Sequence, residues 1–259
     1  MAQYGNYKSY QGASRHDGPN RAPHVIDYRL QALANASPDL FTGKDILDIG
    51  CNNGAIAVHL GISFSPASVT GVDIDPELVQ KAISHLSLRY SRTAPVDGES
   101  APVEPSQVER NNYFPISSVL QHGHRNYHQD LDPAKFPLNV AFRCENWATS
   151  PPLEPGFYDV ILALSMVKWV HLQGLDEGLR AFFAKVYLSL RPSGYFILEP
   201  QEWESYKRAV KKNKTLEGNY KKLETRPDDF QPILEAIGFN LLQKLDTSLK
   251  RDIFIYLKN

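Results

Sequence analysis

Asp45-Ile-Leu-Asp48-Ile-Gly50-Cys-Asn-Asn-Gly54, followed by Val69-Thr-Gly-Val-Asp73-Ile-Asp75, decides the fold of this chain. Ile46, Leu47 and Ile49 make the short apolar run of a buried strand, and Val69–Ile74 repeats it and ends beside a carboxylate. Between them a glycine turn opens into the apolar segment 54–61, which reads as a helix. Strand, turn, helix, strand and acid make the first unit of a doubly wound α/β sheet, whose ligand lies beyond the carboxyl ends of the strands. The glycines are spaced G-x-x-x-G. A dinucleotide site needs G-x-G-x-x-G to cradle a pyrophosphate. The spacing therefore points away from dinucleotides and toward S-adenosylmethionine, which carries no phosphate.

Outward from this unit the alternation continues. Strands are expected over 44–49, 69–74, 139–143, 158–164, 195–199 and 252–257, and helices over 25–35, 54–61, 76–90, 176–190 and 228–237. Asp75 is a natural N-cap and Pro76 suits the first helical position. Residues 91–135 break the rhythm with prolines and acids and read as a solvated insertion loop. Residues 1–23 are polar and rich in tyrosine and glycine, a composition expected to be disordered. The pattern favours one domain over residues 1–259.

Bulk properties narrow the partners. With a net charge of −1, the chain as a whole is not built for nucleic acid or a membrane surface, so any such surface is local. Cys51 and Cys144 are the only cysteines and form no C-x-x-C pair, which argues against zinc and a disulfide framework. No apolar leader and no run of about 18 apolar residues is present, so an intracellular soluble protein without a membrane partner is the expectation.

Several residues are placed by this pattern to hold a cofactor. Gly50 and Gly54 let the backbone approach a ligand where a Cβ would collide. Asp73, ending the second strand, suits two ribose hydroxyls. Arg29 is a candidate for the cofactor carboxylate. Asn146 and Trp147, past the third strand, offer an amide to the edge of an adenine and a ring to its face. Lys168, Trp169 and His171 follow the fourth strand, where the reacting end of the cofactor would lie. Glu199–Trp203 lies on the same rim. Residues 205–226 then hold eight lysines and arginines against two acids, with Tyr206 and Tyr220 interleaved. Lys207, Arg208, Lys211, Lys212 and Lys214 make this either a solvated charged face or an edge that tracks RNA phosphates.

The segments Tyr4-Gly-Asn-Tyr7, Asp27-Tyr-Arg-Leu30, Leu47–Gly54, Gly71–Asp75, Leu164–Leu172, Asp176–Leu179, Leu190–Gly194 and Leu198–Gln201 with Trp203 resemble the RNA 5′-terminal phosphate methyltransferases. That family includes the methylphosphate capping enzymes and the bicoid-interacting-type methyltransferases. The glycine turn is shared by many methyltransferases, whereas Lys168-Trp-Val-His-Leu172 and Leu198-Glu-Pro-Gln201 are far more specific. The resemblance implies a class I S-adenosylmethionine-dependent methyltransferase fold and methyl transfer to the terminal (γ) phosphate of a small non-coding RNA. It implies that Arg29 holds the methionine carboxylate, and that Gly50, Cys51 and Asn52 line the cofactor. Asp73 and Ile74 would hold ribose and adenine, Asn146 and Trp147 would flank the adenine, and Leu164 would touch the cofactor. Tyr7, Tyr10, Lys168 and His171 would face the RNA end, with Arg15 anchoring its phosphate, and the N-terminal segment would fold over the site. No metal is required. Gln11 stands where the family has a tyrosine. The resemblance also implies a nuclear, ribonucleoprotein setting, with the cytoplasm as the alternative and RNA-binding proteins of the same particle as partners. Two other readings fit the glycine turn: a methyltransferase for small molecules or proteins, and an RNA-binding scaffold that keeps the fold.

Overall fold

The computed structural model describes residues 27–94, 111–127, 131–151, 155–211, 213–245 and 251–259. Tyr7, Tyr10, Arg15 and Lys212 lie outside the described residues. The strands are β1 (Asp45–Ile49), β2 (Ser68–Asp73), β3 (Val140–Cys144), β4 (Tyr158–Leu164), β5 (Leu190–Glu199), β6 (Phe239–Leu245) and β7 (Ile253–Lys258). They form one sheet in the order β3-β2-β1-β4-β5-β7-β6. The first five strands run parallel and β7 is antiparallel to both of its neighbours. The order reverses at β1, which lies between β2 and β4, and this switch point is where an open α/β sheet leaves a crevice.

The helices are α1 (Tyr28–Ala36), α2 (Ala55–Ser63), α3 (Pro76–Arg92), α4 (Ile116–His122), α5 (Val167–Ser189), α6 (Trp203–Val210), α7 (Lys214–Tyr220) and α8 (Phe230–Ile237). Alternation along the strands sends side chains to both faces. Ile46, Val160 and Leu162 meet α1, α2 and α3 through Leu30, Ile56, Leu60 and Leu86. Leu47, Ile161 and Phe196 meet α5 and α8 through Phe182, Phe183, Val186 and Leu234. Asp75 caps α3 as its sequence predicts, accepting from the Glu77 N–H at 2.9 Å.

Four elements differ from the sequence reading. β6 is an additional edge strand. A register shift between Leu241 and Gln243 breaks its alternation and leaves Leu242 exposed, which hides the strand from a pattern search. The helix expected from Asp176 is the second part of α5, and a helical stretch from Val167 that the sequence reading lacked joins it across a kink at Leu175 (φ 58°). The insertion 91–135 is not all loop: it contains α4, and α3 runs to Arg92. The basic stretch after Trp203 folds as α6 and α7.

Candidate active site

The glycine turn after β1 closes onto β2. The N–H groups of Gly50 and Cys51 both donate to the Val72 carbonyl, at 2.8 and 3.0 Å. Asp73 fixes the turn from the other side, its Oδ2 accepting from Asn52 N at 2.9 Å and its Oδ1 from Asp75 N at 3.0 Å. Gly50 holds φ +73°, and a Cβ there would stand 2.9 Å from Met166 Cβ, so only glycine fits. Burial raises the Asp73 pKa, offset by these backbone N–H groups.

Above the turn lies a cavity of about 880 Å³, in the upper range of single-ligand pockets. Arg29, Gly50, Cys51, Asn52, Asp73, Ile74, Asn146, Trp147 and Leu164 all contribute to its wall. One of the sequence assignments needs correction and another is narrowed. Gly54 does not reach the cavity: a Cβ there would lie 2.6 Å from Phe142 and 2.8 Å from Ala82, so it is required by packing between β3 and α3. Trp147 can offer only one face of its ring to the cavity, since the Lys185 ammonium sits 4.2 Å over the indole and Phe182 packs edge-on at 5.8 Å.

One end of the cavity carries a polar network that sequence reasoning did not assemble. Arg29 donates through Nε and Nη2 to Asp27, at 3.0 and 2.8 Å, and through Nη1 to Glu199 Oε2 at 2.7 Å. A guanidinium has five N–H groups, so two remain for a ligand. Burial lowers the Arg29 pKa, but the bonds and charges of Asp27 and Glu199 outweigh it and leave the net shift upward. Asp48, also in the wall, has an Oδ2 buried without a hydrogen-bond partner, as has Glu199 at Oε1. Burial pushes the Asp48 pKa up to about 7, with the carboxylates of Asp73 and Asp27 adding to it and Arg29 opposing it. Three carboxylates around one guanidinium leave this end short of positive charge. Ser165, in the left-handed region at φ +60°, extends the network: its hydroxyl donates to Glu199 and accepts from Arg251 Nη1 at 2.7 Å.

Lys168 and His171 separate in the structure. Lys168 is buried on the first turn of α5. Its backbone N–H donates to Gln201 Oε1 at 3.0 Å, while its ammonium meets Ser205 Oγ and O at 3.4 and 3.5 Å and sits 4.8 Å over the Trp169 ring. Burial, then the charges of Arg251 and Arg208, hold its pKa down at about 8. Arg208 of α6 and Arg251, which precedes β7, thus act on Lys168 by charge, and Arg251 also reaches Ser165. His171, by contrast, is fully buried: its Nε2 lies 2.7 Å from Asp176 Oδ1, its Nδ1 lies 3.3 Å from the Tyr206 hydroxyl, and Phe230 packs on the ring. Neither it nor Lys168 contributes to the cavity wall; its full burial between Asp176 and Tyr206 replaces its assignment to the RNA end by a core role. Lys207, Arg208, Lys211 and Lys214 are exposed along α6 and the start of α7. Among the described residues no cluster of side chains suits a metal ion, and no helix is long and apolar enough to cross a membrane. Asp27, Asp48, Ser165, Glu199 and Arg251 were missed as site residues. Asp48 and Glu199 lie inside the quoted motifs, and only the fold reveals that their carboxylates share one guanidinium neighbourhood.

Comparison with known proteins agrees with this geometry. Residues 158–258 match the family model of Bicoid-interacting protein 3 (Bin3). The chain is 34% identical to a probable RNA methyltransferase of Arabidopsis thaliana, over 95% of this chain and 75% of that protein. It is 33% identical to the U6 snRNA methylphosphate capping enzyme Amus of Drosophila melanogaster, over 99% of this chain and 75% of that one. The mouse 7SK snRNA methylphosphate capping enzyme is 32% identical over 95% of the chain, which spans only 38% of that protein's length. In fold, the chain is similar to the N-methyltransferase NodS of Bradyrhizobium japonicum, with a TM-score of 0.53, 11% identity, and coverage of 92% of this chain and 98% of that one. Strand order, switch-point cavity and these relatives agree that the chain is a class I methyltransferase in fold and belongs to the Bin3 family of RNA methyltransferases.

Proposed function

We propose that this protein transfers a methyl group from S-adenosylmethionine to the 5′-terminal γ-phosphate of a small non-coding RNA, leaving a methylphosphate cap. The observation that carries the proposal is the division of charge around Ser165. Its hydroxyl donates to Glu199, which with Asp27 and Asp48 surrounds Arg29, and accepts from Arg251, whose charge, like that of Arg208, reaches Lys168. The cavity fits the cofactor. The unpartnered Oδ2 of Asp48 suits its ammonium group, the two spare N–H groups of Arg29 suit its carboxylate, and Asp73 suits ribose hydroxyls. When bound, S-adenosylmethionine supplies a methyl group to an oxygen nucleophile, with the sulfur leaving as a thioether.

The chain's own residues then have a positioning task. A terminal phosphate has its last pKa near about 6 and is already largely anionic at neutral pH. It needs no general base, which accords with His171 lying in the core. Lys168 and Arg251 hold the phosphate by charge, and the rigid α5 start keeps Lys168 in register with Ser165. The exposed cations of α6 carry the RNA away from the site. Tyr7, Tyr10 and Arg15 complete the phosphate contacts in this proposal, and a nuclear ribonucleoprotein is the setting it favours.

The test is to incubate the protein with labelled S-adenosylmethionine and one RNA bearing a 5′-triphosphate, a 5′-monophosphate or a 5′-hydroxyl. Label retained on the triphosphate RNA and absent from the hydroxyl RNA is expected. Label on the monophosphate alone would move the acceptor, and label on none while RNA still binds would favour a scaffold.

A further inference from the structure

Helix α3 presents an imidazole and two further guanidinium groups to the cavity. His85, Arg89 and Arg92 fall at i, i+4 and i+7, one stripe of the helix, and all three contribute to the cavity wall. His85 stands next to the glycine turn, with its Nδ1 3.2 Å from the Asn53 carbonyl. At a rise of 1.5 Å per residue the two arginines lie about 6 and 10 Å further along α3. They lie on the last turns of α3, away from its N-terminal end beside Asp73.

Both guanidinium groups are buried, Arg89 at 2% and Arg92 at 8% exposed. Arg89 donates to the Asn111 carbonyl and to Asn112 Oδ1, and Arg92 Nε donates to the Phe114 carbonyl at 3.1 Å. All of these acceptors are neutral. Among the described residues no carboxylate forms an ion pair with either side chain. Arg89 Nε and Arg92 Nη1 are buried without a hydrogen-bond partner. Burial, and then the neighbouring charge of Arg92, lower the Arg89 pKa to about 10, so Arg89 remains cationic at neutral pH. Two buried like charges, one helical turn apart and only partly hydrogen-bonded, are unfavourable without a counter-charge. Lys168 and Arg208 belong to α5 and α6 and Arg251 precedes β7, and as cations they supply no counter-charge to Arg89 and Arg92.

We propose that Arg89 and Arg92 form a second phosphate subsite at the α3 end of the cavity, separate from the terminal-phosphate site at Lys168. A phosphodiester of the RNA chain, downstream of its 5′ end, and a free phosphate compound share the chemistry this subsite recognises. Only the RNA source rests on the methyltransferase reading given above. Arg89 also ties down the insertion through Asn111, so Arg92 is the cleaner residue to vary.

The full chain, its Arg92→Gln variant and its Arg92→Lys variant are compared for binding of a short 5′-hydroxyl RNA across a salt series, and of inorganic pyrophosphate by calorimetry. The RNA lacks a terminal phosphate, so it reports on the subsite without engaging the Lys168 site. With RNA as the source, Arg92→Gln weakens RNA binding about fivefold or more and reduces the salt slope by about 0.7, while Arg92→Lys recovers most of both. With a free compound as the source, pyrophosphate binding falls in Arg92→Gln and the RNA titration does not move. S-adenosylmethionine affinity within twofold of the parent verifies that the cavity has kept its shape. Equal binding of both probes by parent and Arg92→Gln overturns the subsite. Failure of methyl transfer to triphosphate RNA, with these binding differences intact, overturns the enzymatic reading instead.

Discussion

Asp48→Asn is the substitution that probes the acidic end of the cavity. The carboxyl is 2% exposed, Oδ2 has no partner, and the pKa is pushed up from 3.8 to about 7, chiefly by burial. At 1.36 kcal/mol per pH unit the displacement corresponds to about 4 kcal/mol, an upper figure for a side chain in a charged network. The folded pKa lies above the unfolded one, so the folded state binds the proton more tightly. Its stabilising effect is complete below about pH 4 and is lost as pH rises to about 7. Asparagine does not titrate. Urea denaturation near pH 8 should find the variant more stable than the parent, by up to about 4 kcal/mol, and the advantage should shrink toward pH 4. Cofactor binding should change in the opposite sense. Losing one charge-assisted hydrogen bond costs about 1.5–3 kcal/mol, which weakens S-adenosylmethionine about ten- to hundredfold in calorimetry. A stability difference that is the same at both pH values, or an unchanged cofactor affinity, would refute the assignment.

Three further outcomes are expected. Lys168→Ala should lose about a hundredfold or more in methyl transfer to triphosphate RNA while binding S-adenosylmethionine as the parent does; in the parent, KM for RNA should rise above about pH 8, where a lysine held at about 8 loses its charge. His171→Ala should lower the unfolding free energy by about 2–4 kcal/mol through a core cavity and the lost contacts to Asp176 and Tyr206, yet kcat per folded molecule should stay within a few-fold. Gly54→Ala should cost about 1–3 kcal/mol in denaturant melts, because its Cβ meets Phe142 at 2.6 Å, and the folded fraction should keep its cofactor affinity.

The parts of the site legible in the sequence are those written locally. Gly50, Asn52 and Asp73 fall within one βαβ unit, where turn chemistry and strand ends fix their positions before any tertiary contact forms. Arg29 was placed at the cavity, but not the two carboxylates that orient it, because Glu199 meets it across 170 residues of chain. Arg251 reaches Ser165 across 86 residues, and no periodicity encodes such a meeting. His171 misled for a different reason. A buried imidazole between a carboxylate and a phenol carries the same residue types as a catalytic pair, and only its burial distinguishes them. Gly54 has a positive φ like Gly50, so its sequence spacing could not separate a packing requirement from a ligand approach.

The place of β7 in the sheet has a consequence for assembly. β6 precedes it in the chain but pairs with no other strand, and the free edge of β5 is covered only by β7. During synthesis β5 therefore presents a row of unsatisfied N–H and C=O groups until Ile253–Lys258 arrives between the two. A chain stopped before that strand would leave β5 as a template for another molecule's strand. A chain made only as far as β6 therefore exposes an edge that can aggregate, and the sheet closes when β7 enters between β5 and β6.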